Sequence, residues 1–124
     1  MMSLRTRLAI ARAGAAEPDA GVHAFVVHPR PQAGDVPIRL GAHMVRGRVL
    51  REPPTLRAAQ ALVGRRVQGV ETGTTVRDLG FPYAFYNGAE TSHELANHAA
   101  SRLCATCTIL CGAVLFSRHA LELE

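Results

Sequence analysis

The stretch from Thr91 to Phe116, TSHELANHAASRLCATCTILCGAVLF, carries the longest periodic apolar pattern in the chain and all three of its cysteines. Asn87-Gly88 before it reads as a turn. Thr91 followed by Glu94 has the spacing of a capping box, in which the hydroxyl and the carboxylate each satisfy a free helical N–H. Ala96, Ala99, Ala100, Leu103, Cys107, Leu110, Cys111 and Val114 then recur at intervals of three and four, one face of an α-helix. The pattern predicts a helix from Ser92 to about Thr106. Beyond it, the β-branched and aromatic residues Thr108, Ile109, Val114 and Phe116 favour a strand, and Gly112 is a natural helix stop. We expect a short buried strand at about Ala113 to Ser117. Two readings compete: a helix running to Cys111 and stopping at Gly112, and a single helix passing through Gly112 at a cost of about 1 kcal/mol against alanine.

Cys104, Cys107 and Cys111 would share one face of such a helix, with His93 three turns earlier. Three thiolates and an imidazole suit zinc or another soft metal. Against this, CxxC zinc pairs usually sit in a tight knuckle, there is no second cysteine pair, and cysteine often packs as a small buried hydrophobe. The expectation is therefore no metal and no cofactor, with the Cys104, Cys107, Cys111 and His93 set as runner-up. If the segment is a strand, Cys104 and Cys107 point to opposite faces and the cluster dissolves.

Upstream, Leu4, Leu8, Ala11 and Ala15 predict an N-terminal helix within residues 1–16, peripheral or covered by a second subunit. Val22 to His28 reads as a strand apolar on both faces, which suits an interior or an interface. His23 and His28 bracket it on opposite sides and make no ligand pair. Ile38 to Arg51 alternates, but the pattern slips by one after Met44-Val45. Gly47 at the slip suggests a bulge or a turn into a second strand. Thr55 caps a helix with Leu56, Ala59, Leu62 and Val63 inward, and Gly64 ends it. Arg66 to Leu79 reads as a hairpin turning at Glu71-Thr72-Gly73-Thr74. FPYAFYNG follows and holds four of the six aromatic residues.

Together these elements predict a single α+β domain over residues 1–124. It has a mixed, mostly antiparallel sheet packed against two or three helices, with a long helix near the C-terminus. The final residues 121–124, LELE, resemble a vector remnant and stay outside the fold prediction. No stretch is long enough to span a bilayer as a helix, so no membrane association is expected. Neither a signal peptide nor a disulfide framework is evident, which points to the cytoplasm.

All 14 basic residues are arginine, in a chain of formal net charge +4. Arg39, Arg46, Arg48, Arg51, Arg57, Arg65 and Arg66 fall in one third of it, where Glu52 is the only acid. Every one of these cations is a planar fork suited to phosphate or carboxylate. The competing explanation is a solvated face arising from biased coding.

No phosphate-binding glycine loop, GxSxG nucleophile, zinc-finger spacing or RNA-binding motif is present. The function these parts suggest is binding of a small, anionic ligand, or acid–base chemistry, in a pocket. Its walls would be the aromatic run 81–86, the start of helix 92–106 and the arginine-rich sheet face. Tyr83, Tyr86, His93 and Glu90 are the candidate proton carriers; Arg46, Arg48 and Arg77 are the candidate anion ligands. Homo-oligomerisation, as a dimer or larger, is expected from the two-sided strand. The rival from another class is an interaction module that docks an acidic protein or, less favoured, nucleic acid.

Overall fold

Two short runs without charge, AFVV and VLFS, become the two central strands of a sheet. The computed structural model describes residues 16–89 and 95–123. In chain order the elements are β1 (Ala24–Val27), β2 (Val36–Leu40), β3 (His43–Leu50), α1 (Leu56–Val63), β4 (Val67–Glu71), α2 (Thr74–Asp78), β5 (Tyr83–Asn87), α3 (His98–Ser101) and β6 (Val114–Ser117). The strands form one six-stranded sheet in the order β2-β3-β1-β6-β5-β4, and every strand pair in it is antiparallel.

β1 and β6 are buried at every position because both faces of the sheet are covered within the chain. On one face Phe25 lies between Phe81, met edge-on at 5.1 Å, and Phe116, stacked at 5.0 Å. Val27, Leu40, Val76, Leu103, Leu110 and Val114 close around them. On the other face Ala24, Val26 and Leu115 meet Ala59 and Val63 of α1. A strand apolar on both sides thus needs no second subunit to cover it. The larger cluster supplies most of the burial, and hydrophobic burial is the main force holding the sheet together.

α1 forms where its end signals place it. The Thr55 hydroxyl accepts the Ala58 N–H at 3.0 Å, and Gly64, at φ 128°, ends the helix. Leu121 packs into the same cluster as α1, and the Glu122 carbonyl accepts the Leu56 N–H at 2.8 Å. The chain's tail is therefore part of this face.

The α+β expectation, with a mixed sheet and a long helix near the C-terminus, is overturned. The described residues are mostly a six-stranded antiparallel sheet with three short helices, of which only α1 reaches seven residues. Among the described residues of the expected helix 92–106, only His98–Ser101 is helical. The periodic residues are buried by folding back instead. The Asn97 N–H donates to Leu110 O, Gly112 N–H to Leu95 O, Ala105 N–H to Glu71 O and Gly73 N–H to Leu103 O. These contacts to distant backbone replace the helical ladder in a segment rich in serine, threonine, asparagine and cysteine, all modest helix formers. The expected N-terminal helix, apart from its final residue Ala16, and the capping residues Thr91 and Glu94 lie outside the described residues.

Two local assignments also change. The slip near Gly47 is no bulge: β2 and β3 are a hairpin turning at Gly41-Ala42, with Gly41 at φ 64°. Across a two-residue turn, even-numbered residues on one strand pair with odd-numbered ones on the other. The inward face therefore passes from Ile38 and Leu40 to Val45 and Gly47. Gly47 is required for another reason, since a Cβ there would lie 2.6 Å from the Val26 carbonyl oxygen. The second arm expected after Glu71 is the helix α2, with Val76 buried, and β4 pairs with the aromatic strand β5.

Candidate functional site

The β2–β3 hairpin register sorts the arginines. Arg46 lies opposite Pro37, Arg39 opposite Met44, and Arg48 opposite Val26. Paired residues share a face, so Arg39, Arg46 and Arg48 all lie on the side of the sheet that carries α1. That helix packs on β4, β5 and β6, so among the described residues no helix lies over the β2–β3 half of the face. Arg46 and Arg48 are exposed there. The Arg46 guanidinium donates to Asp35 O at 3.2 Å. Arg39 meets Glu17 at 3.8 Å in a half-exposed pair, a contact worth little in water. Among the described residues no hydrogen bond or ion pair engages the Arg48 guanidinium.

Between this half-face and α1 runs an open groove of about 650 Å³. Arg48, Leu50, Arg51, Pro54, Ala58 and Leu62 are among its walls. Arg51 at its end is held by Asp19 at 3.0 Å. The Gly21 N–H, with the Arg51 guanidinium beside it, holds the Asp19 carboxyl below the usual carboxylate range.

Strand alternation separates the aromatic candidates. Tyr83 lies opposite Ser117 and Phe85 opposite Leu115, on the α1 side. The Tyr83 and Phe85 rings stack at 6.2 Å. With Glu71, Arg77 and Pro82 they line a second groove of about 370 Å³. Tyr86 belongs to the opposite face, where its hydroxyl donates to Gln68 Oε1 at 3.1 Å. The structure thus brings Tyr83 and Arg77 together and leaves Tyr86 apart. Arg46 and Arg48 on β3 are three strand spacings from β5, about 14 Å. Glu90 and His93 lie outside the described residues.

The three cysteines occupy a turn region rather than a helical face. Cys104 bridges to Thr72 and Cys111 to Ala96. Cys104 is buried and Cys107 exposed, and burial pushes the Cys104 thiol up to about 11. Among the described residues no three of His, Cys, Asp and Glu come together in a way that could hold a metal ion. None of their helices is long and apolar enough to cross a membrane.

Comparison with protein-family models, curated proteins and solved structures finds no match.

Three features of this region carry no sequence signal. His23 and His119 meet ring to ring across 96 residues. Arg118 donates to the carbonyls of Val22, Leu79, Pro18 and Asp19 and lies 4.1 Å over the Phe81 ring. Asn97, fully buried, ties the 95–112 segment to β1. Each depends on partners that only the sheet topology brings near.

Proposed function

We propose that this protein binds a small anionic ligand with an apolar body, held on the arginine-bearing half-face beside α1. The observation that carries the reading is the common orientation of Arg39, Arg46 and Arg48 on one sheet face, where Arg46 and Arg48 are exposed. Beside it lies a groove with Leu50, Pro54 and Leu62 in its walls. Guanidinium groups supply forked donors for a phosphate or carboxylate, and the groove supplies apolar contact, the usual division of labour in a ligand site. Tyr83 and Arg77 form a separate groove that can take part only as a second site. Acid–base catalysis by Tyr83 together with Tyr86 is not favoured, because their strand positions face opposite ways. The cytoplasmic setting belongs to the same reading and rests on the sequence, where three cysteines clustered within eight residues do not read as a disulfide framework.

The test uses phenyl phosphate and inorganic phosphate as probes, followed by backbone amide shifts. Phenyl phosphate binding that moves Arg48, Leu50 and Leu62, and weakens about tenfold in Arg48→Ala, agrees with the proposal. Shifts confined to the Tyr83 groove, or affinity unchanged in Arg48→Ala and Arg46→Ala, would overturn it. A nucleic-acid backbone on the same face would instead show a steep loss of affinity with salt.

A further inference from the structure

His23, just before β1, and His119, two residues beyond β6, are fixed by their backbones before their rings meet. The His23 N–H donates to Leu50 O at 2.9 Å, and its carbonyl accepts the Arg118 N–H at 3.0 Å. The Ser117 hydroxyl donates to His119 O at 2.7 Å and lies 3.1 Å from the His119 N–H. On these anchors His23 Nδ1 faces His119 Nε2 across 3.2 Å, with ring centroids 5.4 Å apart and planes tilted by 32°.

A contact between two neutral imidazoles needs one N–H and one lone pair. When the donor ring takes its other tautomer, with the proton carried through water to its far nitrogen, both rings stay neutral and two lone pairs are directed at the same small volume. Two imidazole nitrogens on one tetrahedral zinc, each at about 2.0–2.1 Å, lie about 3.3 Å apart. The observed separation is already within about 0.2 Å of that value, so a small turn of the rings suffices. We propose that His23 and His119 form an open site for a borderline divalent cation of the zinc, nickel or copper class.

Imidazole selects these ions over magnesium and calcium, which take oxygen ligands. No third His, Cys, Asp or Glu completes a cage among the described residues. The remaining positions are therefore filled by water, and the ion exchanges freely. His119 is exposed and His23 partly so, which gives the ion a way in. The Arg118 guanidinium is a nearby positive charge that works against the site. Its hydrogen bonds to the Val22, Leu79, Pro18 and Asp19 carbonyls hold it in place on Phe81. The site uses none of the arginines of the anion-binding proposal, so either can fail alone.

The experiment is a titration of the chelator-treated protein with zinc chloride, read from the ring nitrogen resonances of its six histidines. The rings of His23 and His119 should move together and saturate at one ion per chain. His23→Gln and His119→Gln should each weaken binding by about 100-fold, since each removes half of a chelating pair. Unchanged thermal unfolding in the variants shows that they remain folded. Three results would overturn the proposal. Zinc could reach the thiols while both rings stay still, all six rings could shift in proportion, or either variant could bind as tightly as the parent.

Discussion

The side-chain amide of Asn97 donates to the carbonyl of Val27 at 2.8 Å, joining the start of α3 to the end of β1 across 70 residues. The same amide donates to Gly112 O at 2.8 Å, and Asn97 Oδ1 accepts the Ala100 N–H at 3.1 Å. The Asn97 carbonyl accepts from the Ser101 hydroxyl, which in turn accepts the Leu110 N–H. One buried residue therefore caps a helix, closes a loop and satisfies a central strand. Asn97→Ala should cost about 2–4 kcal/mol, because buried carbonyls lose their donors. Urea unfolding checks this, and a loss below about 0.5 kcal/mol would refute the role.

Arg118 fastens the loop before β1 to the turn after α2. Its planar fork reaches carbonyls on both through three separate nitrogens, whereas a lysine ammonium offers its donors from a single point. Arg118→Met should lose about 2–3 kcal/mol and Arg118→Lys about half of that, measured by thermal unfolding. Equal stability of Arg118→Lys and the parent would show that charge alone suffices.

The cysteines should differ in reactivity. The Cys104 thiol is raised to about 11 from an ordinary 9.0 by burial, and the thiolate is the nucleophile. Iodoacetamide at neutral pH should therefore label exposed Cys107 first and Cys104 last, as read by peptide mass mapping.

The same shift makes a pH prediction. Between about 9 and about 11 the folded thiol keeps a proton that the unfolded chain has released. The unfolded state then binds fewer protons, so stability falls with rising pH. The contribution is fully present below 9.0 and is lost as pH rises through the folded value. Urea midpoints below and above 9.0 should show this fall, and Cys104→Ala should remove its share of the slope.

Gly47 and Gly34 separate space from dihedral strain. A Cβ on Gly47 would press on the Val26 carbonyl oxygen at 2.6 Å, where β3 meets β1. Gly47→Ala should cost about 1–3 kcal/mol by forcing these strands apart. Gly34 has open space around it but sits at φ 89°, so Gly34→Ala should cost only about 1 kcal/mol. Thermal unfolding of the two variants should rank them in that order.

Short-range chemistry was legible where both ends of an element carried their own signals. Thr55 and Gly64 bound α1 in the sequence as they do in the structure. The apolar runs around Phe25 and Phe116 mark strands because nothing charged interrupts them. The alternation slip after Met44 was also a true signal, of a hairpin turn at Gly41 rather than of a bulge at Gly47. The clustering of Arg39, Arg46 and Arg48 was visible along the chain, but their common face came from the pairing register.

The C-terminal half shows where local pattern stops being enough. The helical spacing from Ala96 to Val114 is real, yet one turn of helix survives among the described residues. Apolar periodicity states which residues need burial and leaves open what buries them. Here Leu103 and Leu110 reach the core through a chain reversal held by Asn97, Ser101 and the end of β4. The meeting of His23 with His119 has the same origin, since it follows from β1 and β6 lying side by side. Caps, turns and apolar runs act over a few residues, so they can be read along the chain. Strand order and buried hydrogen bonds join residues far apart, so they exist only once the sheet has closed.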